Sequence, residues 1–264
     1  HIFIKTIRDY YALNRRPFPW RDTRDPYAVF VSEIMLQQTQ TGRVLEKWTP
    51  FLERFPSWEA LAAAATEDLF RAWKGLGYNR RALYLRDSAR IILDRFGGKV
   101  PDDPSTLATL PGIGAATSGS LCAFIHDKPV PFIETNIRRV YIHFFFAESN
   151  EVDDSLILPL VEETMDRESP REWFYALMDY GVFLAKGIPN PNRRSSGYRK
   201  QGRYEGSSRY IRGRLLSFLL ESGEADLETL KESLGGYEDM IEKLLSDLER
   251  EGFVAEREGV YRIE

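Results

Sequence analysis

A single cysteine, Cys122, and three histidines stand in a chain of 264 residues. One cysteine excludes an intrachain disulfide and a four-cysteine zinc or iron–sulfur site. His1, His126 and His143 have no paired ligand spacing, which leaves only oxygen-ligated cations open. No apolar run approaches the roughly 20 residues of a membrane-spanning helix. No charged-then-apolar leader precedes the first periodic segment, so neither a span nor a secretory signal is expected. The sparse cysteine use agrees with a cytoplasmic location. A chain that begins at His1 rather than methionine is expected to differ from its native start. Strand signals are also scarce before residue 185, which argues against a sheet in the main body.

Helical patterning fills that space. Apolar residues are 43% of the chain and charged residues 29%, a balance that supports a packed core. At about 150 residues per domain, the length predicts one large domain or a large and a small one. Amphipathic helices are expected over 29–41, 58–73, 80–96, 117–125 and 173–186, separated by Gly- and Pro-rich turns. Residues 187–206 have no apolar period and read as a loop or arm. Three further helices, 210–220, 226–234 and 237–251, then precede two alternating segments around Glu258 and Gly259, a hairpin signal. The expected fold is mainly α: a helical body over 1–186, a basic arm over 187–207, and a small winged-helix-like module over 208–264.

The net charge of -4 conceals a segregation. Residues 186–214 hold nine basic side chains against Glu205 alone, whereas residues 221–264 hold fourteen acidic against five basic. Opposite blocks in sequence suggest a phosphate-facing stretch beside an acidic module suited to a protein partner. A solvated basic linker is the plainer alternative. The third helix of the module carries Glu238, Asp239, Glu242, Asp247 and Glu249, so that helix is not expected to bind phosphate.

The sharpest local motif is Leu110, Pro111, Gly112, Ile113 and Gly114, followed by small residues through Thr117 to Gly119. An apolar helix, a Pro-Gly-x-Gly turn and a new helix make a helix-hairpin-helix. Its glycines let successive backbone N–H groups point outward at a helix N-terminus, where an anion binds. Such a hairpin grips a DNA phosphate without reading sequence. A monovalent cation at the hairpin is the one ion retained. Two carboxylates lie in unusual surroundings: Glu33 among apolar neighbours before Gln37, Gln38 and Gln40, and Glu134 at the start of a helical run.

These motifs, together with Pro19-Trp20-Arg21, Pro26-Tyr27, Gly75 to Tyr78 and Asn136 to Val140, resemble the MutY adenine glycosylases. That family belongs with endonuclease III to the helix-hairpin-helix base-excision superfamily. The resemblance spans residues 17–186 and implies a two-lobed helical glycosylase acting on double-stranded DNA, as a monomer. On the family's pattern Glu33 falls on the general acid that protonates adenine N7. Glu134 falls where an aspartate stabilises the oxocarbenium-like sugar. Gln37, Gln38 and Tyr78 fall on duplex-invading and wedge positions, with Thr39 and Asn79 beside them. Arg193, Arg194, Arg199 and Lys200 are expected to meet the DNA backbone. Asp25 and Asp179 could take either carboxylate role but look structural.

The sequence departs from that pattern at several places. Glu134 is one methylene longer than the usual aspartate. Ala116 occupies the place of the Schiff-base lysine of bifunctional relatives, so no imine is expected there. The four cluster cysteines are missing, and the basic arm stands in their place. No recognition domain for 8-oxoguanine is expected either, with the acidic module in its stead, and Asn79 replaces a second tyrosine. The expected reaction is monofunctional removal of a mispaired or damaged base, adenine first. Removal of thymine or uracil opposite guanine is the enzymatic alternative, and a non-catalytic sensor of distorted DNA the other.

Overall fold

The structure is a computed structural model and describes residues 2–199 and 202–264. Lys200 lies outside the described residues. The helices run α1 Ile2–Asn14, α2 Pro19–Asp22, α3 Pro26–Leu36, α4 Thr41–Arg54, α5 Trp58–Ala62, α6 Thr66–Trp73, α7 Arg80–Phe96, α8 Pro104–Leu107, α9 Ala115–His126, α10 Thr135–Phe145, α11 Asp154–Thr164 and α12 Pro170–Gly187. After a 3-10 turn at Pro191–Arg194 come α13 Ser208–Ser222, β1 Glu224–Asp226, α14 Leu227–Ser233, α15 Glu238–Arg250, β2 Val254–Arg257 and β3 Val260–Ile263. The mainly helical expectation holds. The chain forms two compact units, one of residues 1–34 and 99–200, the other of 35–98 and 201–264.

The first unit is built round α10 and α12. Ile137, Val140, Tyr141, Phe174, Leu177 and Phe124 form its centre, with Phe3 and Ile7 of α1 packed on them. Helix starts are set by side-chain caps: Asp103 accepts from Thr106 N at 2.8 Å, and Asp153 from Ser155 N at 2.9 Å. Asp179 is 2% exposed and takes both guanidinium nitrogens of Arg21, at 2.8 and 2.9 Å, plus Nε of Arg16 at 2.5 Å. These cations hold its carboxyl below the ordinary range despite burial. Asp25 caps the start of α3 through Tyr27 N at 3.0 Å. Both carboxylates are structural.

The second unit joins α4–α7 to the carboxy-terminal elements. Two single helices expected from periodicity are each broken. Residues 29–41 stop at Leu36, because Gln38 turns to a left-handed φ of 53° before α4 begins. Residues 58–73 divide at Ala63–Ala65 into α5 and α6. The carbonyls freed there are taken by arginines of α7: Arg90 Nε donates to Ala62 O at 3.0 Å, and Arg86 Nη1 to Ala64 O at 3.2 Å. An apolar period has no memory of such tertiary partners. By contrast α7 has the predicted limits, ending in the left-handed Gly97, whose neighbour Gly98 donates to Ile92 O at 3.0 Å.

At the chain end the sheet order is β1-β3-β2, antiparallel throughout. The hairpin falls where expected, on Glu258 and Gly259, both with positive φ (56° and 81°) as a two-residue primed turn requires. Strand β1, three residues long, was too short to leave an alternating signal. Three helices with this small sheet give the winged-helix-like group, and Phe253 stacks on Phe70 of α6 at 5.1 Å within the same unit.

Candidate active site

Glu33 lies on α3 between buried Ser32 and Ile34 and is itself only partly exposed. The Ser120 hydroxyl on α9 stands 2.7 Å from Glu33 Oε2 and 3.0 Å from the carbonyl of Thr117. Burial raises the Glu33 carboxyl to about 7; the Ser120 hydrogen bond opposes that rise and the charge of Glu134 adds to it. Near neutrality the group therefore exchanges a proton readily, as a general acid must.

Glu134 is the N-cap of α10. Its Oε1 accepts from the backbone N–H of Asn136 and of Ile137, each at 2.7 Å, and Oε2 accepts from Asn136 Nδ2 at 3.1 Å. The extra methylene is thus absorbed by folding the carboxyl back over the helix end. Burial raises this carboxyl as well, against the pull of the backbone donors and of Arg139. Asn136 is itself fixed. Its Oδ1 accepts from Arg139 Nη1 at 2.7 Å, and the same nitrogen donates to Gly181 O at 2.8 Å. A Cβ at Gly181 would lie 2.6 Å from Asn136 Cβ, so glycine is what lets α12 pass here.

The hairpin forms as expected. Gly112 has φ +73°, Gly114 precedes α9, and Leu110 and Ile113 anchor the turn at 2% and 6% exposure. Gly112, Gly114, Ala115 and Ala116 are exposed, which places the turn and the start of α9 at the surface. Pro111 and Thr117 flank it, both partly exposed. Among the described residues no group of three His, Cys, Asp or Glu is placed to hold a metal ion. Ala116 offers no amine. Lys128 pairs with Asp102 at 2.6 Å, which keeps its ammonium protonated and poorly nucleophilic.

In the second unit, Gln37, Gln38 and Thr39 lie on one loop, and Tyr78 and Asn79 on another. Both Gln38 and Tyr78 adopt left-handed φ, 53° and 48°, a strained choice for residues with Cβ atoms. Arg81, 7% exposed, holds the two loops together. Its Nη1 donates to Met35 O at 2.9 Å and Gln37 O at 2.5 Å; its Nη2 donates to Thr39 Oγ1 at 2.8 Å and Gly77 O at 2.9 Å. Thr39 Oγ1 also donates to Leu76 O at 3.0 Å. Neither Arg81 nor Ser120 stood out in the sequence. Arg81 is one of seven charged positions on α7, and only the Gly-Leu-Gly turn before it hints at carbonyls in need of a donor.

Residues 190–196 of the basic arm are more ordered than their composition suggests. Within the first unit Asn192, 5% exposed, donates to Thr135 O at 2.9 Å, at the start of α10. Arg194 donates to the carbonyls of Phe146 and, at 2.6 Å, Ala147, at the end of the same helix. Val152 N donates to Arg194 O at 2.7 Å, and Ser196 N to Val152 O at 3.0 Å. Arg194 is a helix C-cap here, while Arg193 and Arg199 are exposed.

The hairpin, the two carboxylates and the helical body define a helix-hairpin-helix protein of base excision repair. The family model for HhH-GPD superfamily base excision DNA repair proteins matches residues 31–158. The chain is 35% identical over 242 residues to an adenine DNA glycosylase of Mycobacterium tuberculosis, covering 83% of this chain and 79% of that protein. It belongs to the adenine DNA glycosylase family. A thymine/uracil-DNA glycosylase of Methanothermobacter thermautotrophicus is 27% identical, over 69% of this chain and 84% of its own length. A solved thermostable thymine-DNA glycosylase superposes with TM-score 0.65 at 26% identity, over 72% of this chain and 89% of that one. A non-covalent endonuclease III–DNA complex, at 16% identity and TM-score 0.60, shares the fold.

Proposed function

We propose that this protein removes adenine from mispaired or damaged duplex DNA by hydrolysing its N-glycosidic bond, without cutting the strand. The observation that carries this reading is a pair of carboxyls on α3 and at the start of α10: Glu33, hydrogen-bonded by Ser120 and raised by burial, and Glu134, held by three N–H donors. Protonated Glu33 gives its proton to N7 of the flipped purine, and the C1′–N9 bond breaks. The base leaves neutral and the sugar becomes an oxocarbenium-like cation. Glu134, when ionised, faces that positive charge. Water then adds to C1′, and its released proton restores Glu33.

Pyrimidines offer no N7, which favours adenine over thymine or uracil. The hairpin backbone from Pro111 to Thr117 binds a phosphate, with Arg193 and Arg199 adding cationic contacts. Gln37, Gln38 and Tyr78 fill the stack while the target base is out. With alanine at position 116, no imine forms and the abasic product stays intact.

A panel of duplexes carrying adenine opposite guanine, 8-oxoguanine or cytosine, and thymine or uracil opposite guanine, tests the reading by chromatography of the released base. Free adenine is expected, with strand breaks only after alkali and no adduct trapped by borohydride. Release of thymine or uracil alone would replace the reading with the pyrimidine one. Tight binding to mismatches without any free base would make the protein a sensor.

A further inference from the structure

The carboxy-terminal elements have no part in the chemistry described so far, yet one of their side chains ends on the wedge. Arg209, near the start of α13, donates from Nη1 to the Tyr78 hydroxyl at 2.6 Å. Its guanidinium also lies over the Tyr78 ring, 5.7 Å from the centroid, as does that of Arg81. The residues flanking the wedge are tied to the same elements. Lys74 pairs with Glu221 at 2.6 Å, and Arg80 and Arg212 both pair with Glu251. All of these residues belong to one compact unit.

We propose that the carboxy-terminal elements serve as the buttress of the Tyr78 wedge, with Arg209 as its positioning residue. This rests on the reading of Tyr78 as the residue that enters the base stack. Tyr78 is 38% exposed and sits at a φ of 48° on the loop between α6 and α7, and the Arg209 hydrogen bond reaches its hydroxyl from α13. A wedge must overcome the cost of unstacking a base step, about a few kcal/mol, and it does so best when its orientation is set beforehand. A hydrogen bond to the hydroxyl fixes the tip, and two cations bracket the aromatic face. The acidic character of the module acquires a use in this arrangement. Glu221 and Glu251 hold Lys74 and Arg80 and so secure both ends of the wedge loop, instead of repelling DNA at its surface.

The test uses the full chain and a duplex with an adenine–guanine mismatch and 2-aminopurine at the adjacent step of the opposite strand. Binding by the parent protein should raise the fluorescence as the step opens. Arg209→Met should cut that rise by about fivefold, the combined effect of one hydrogen bond and one cation–ring contact. Tyr78→Phe should lose part of the rise, and Arg209→Met added to Tyr78→Phe should lose less than it does alone. Arg209→Lys, which keeps the cation, should fall between parent and Arg209→Met. Thermal unfolding midpoints separate a wedge effect from general damage. An unchanged rise in both Arg209 variants, or losses from Arg209 and Tyr78 that add independently, would overturn the proposal. The outcome does not depend on base release: a protein that excises nothing still gives or withholds the Arg209 effect, so the two readings fail separately.

Discussion

The Ser120 hydroxyl lies between Glu33 Oε2 and the Thr117 carbonyl, 2.7 and 3.0 Å away, and carries one proton for two acceptors. When Glu33 is ionised, the hydroxyl donates to it. When Glu33 is protonated, Ser120 can turn to Thr117 and accept from the acid instead. One serine thus accommodates both states of a carboxyl that must cycle between them.

From that geometry, Ser120→Ala should shift the alkaline limb of single-turnover base release to higher pH. The serine favours the ionised form of Glu33, and its loss leaves burial and Glu134 to raise the carboxyl further. A limb that stays in place, or moves to lower pH, would remove Ser120 from the proton balance of the site.

Folding stability should carry the same signature. A carboxyl raised in the folded state binds its proton more tightly there than in the unfolded chain. Its contribution is present in full below the ordinary value of 4.5 and is lost as pH rises towards about 7. Glu33→Gln should abolish this decline and leave the protein more stable at pH 8, by an amount on the order of 1–3 kcal/mol. Urea unfolding of both proteins at pH 5 and pH 8 measures it. Parallel declines in the two would show that Glu33 has no raised value.

Much of this arrangement was legible in the residues themselves. The hairpin announces itself because Pro-Gly-x-Gly constrains backbone locally, and Glu33 and Glu134 sit in runs whose neighbours mark them out. The helix breaks at Leu36 and Ala63 were hidden, because long-range arginines satisfy the carbonyls there. Arg194 read as a phosphate contact on charge alone, whereas its guanidinium reaches the end of α10 across 47 and 48 residues of sequence. Ser120 and Arg209 act through partners 87 and 131 residues away. Local pattern has no access to such pairs.

The arm therefore divides by role. Arg194→Gln should destabilise the protein by about 1 kcal/mol, through loss of a helix cap and of the bonds to the Phe146 and Ala147 carbonyls, and leave the salt dependence of DNA binding unchanged. Arg193→Gln and Arg199→Gln should each leave stability alone and reduce the slope of log affinity against log salt by about 0.9. Denaturation and binding titrations at several salt concentrations check both halves. A reduced slope from Arg194→Gln would return that residue to the DNA face.

Gly181→Ala tests the support behind Glu134. The new methyl would meet Asn136 Cβ and the Asn136 carbonyl oxygen at 2.6 Å, so α10 or α12 must move. Overpacking of this kind destabilises by about 1–3 kcal/mol. Because Asn136 donates to both Glu134 oxygens, base release should also slow, with little change in duplex affinity. Full catalytic rate in a destabilised variant would show that the Asn136 contacts do not set the position of Glu134.

The most direct measurement of the account is single-turnover adenine release from an adenine–guanine mismatch, followed from pH 5 to pH 9 for the parent protein and Glu33→Gln. The parent rate should fall as pH rises through about 7, where Glu33 loses its proton. Glu33→Gln should bind the duplex normally and release adenine about 10²–10⁴-fold more slowly, with that pH limb gone. Adenine release at the parent rate from Glu33→Gln, with the limb intact, would contradict the assignment of Glu33 as the acid.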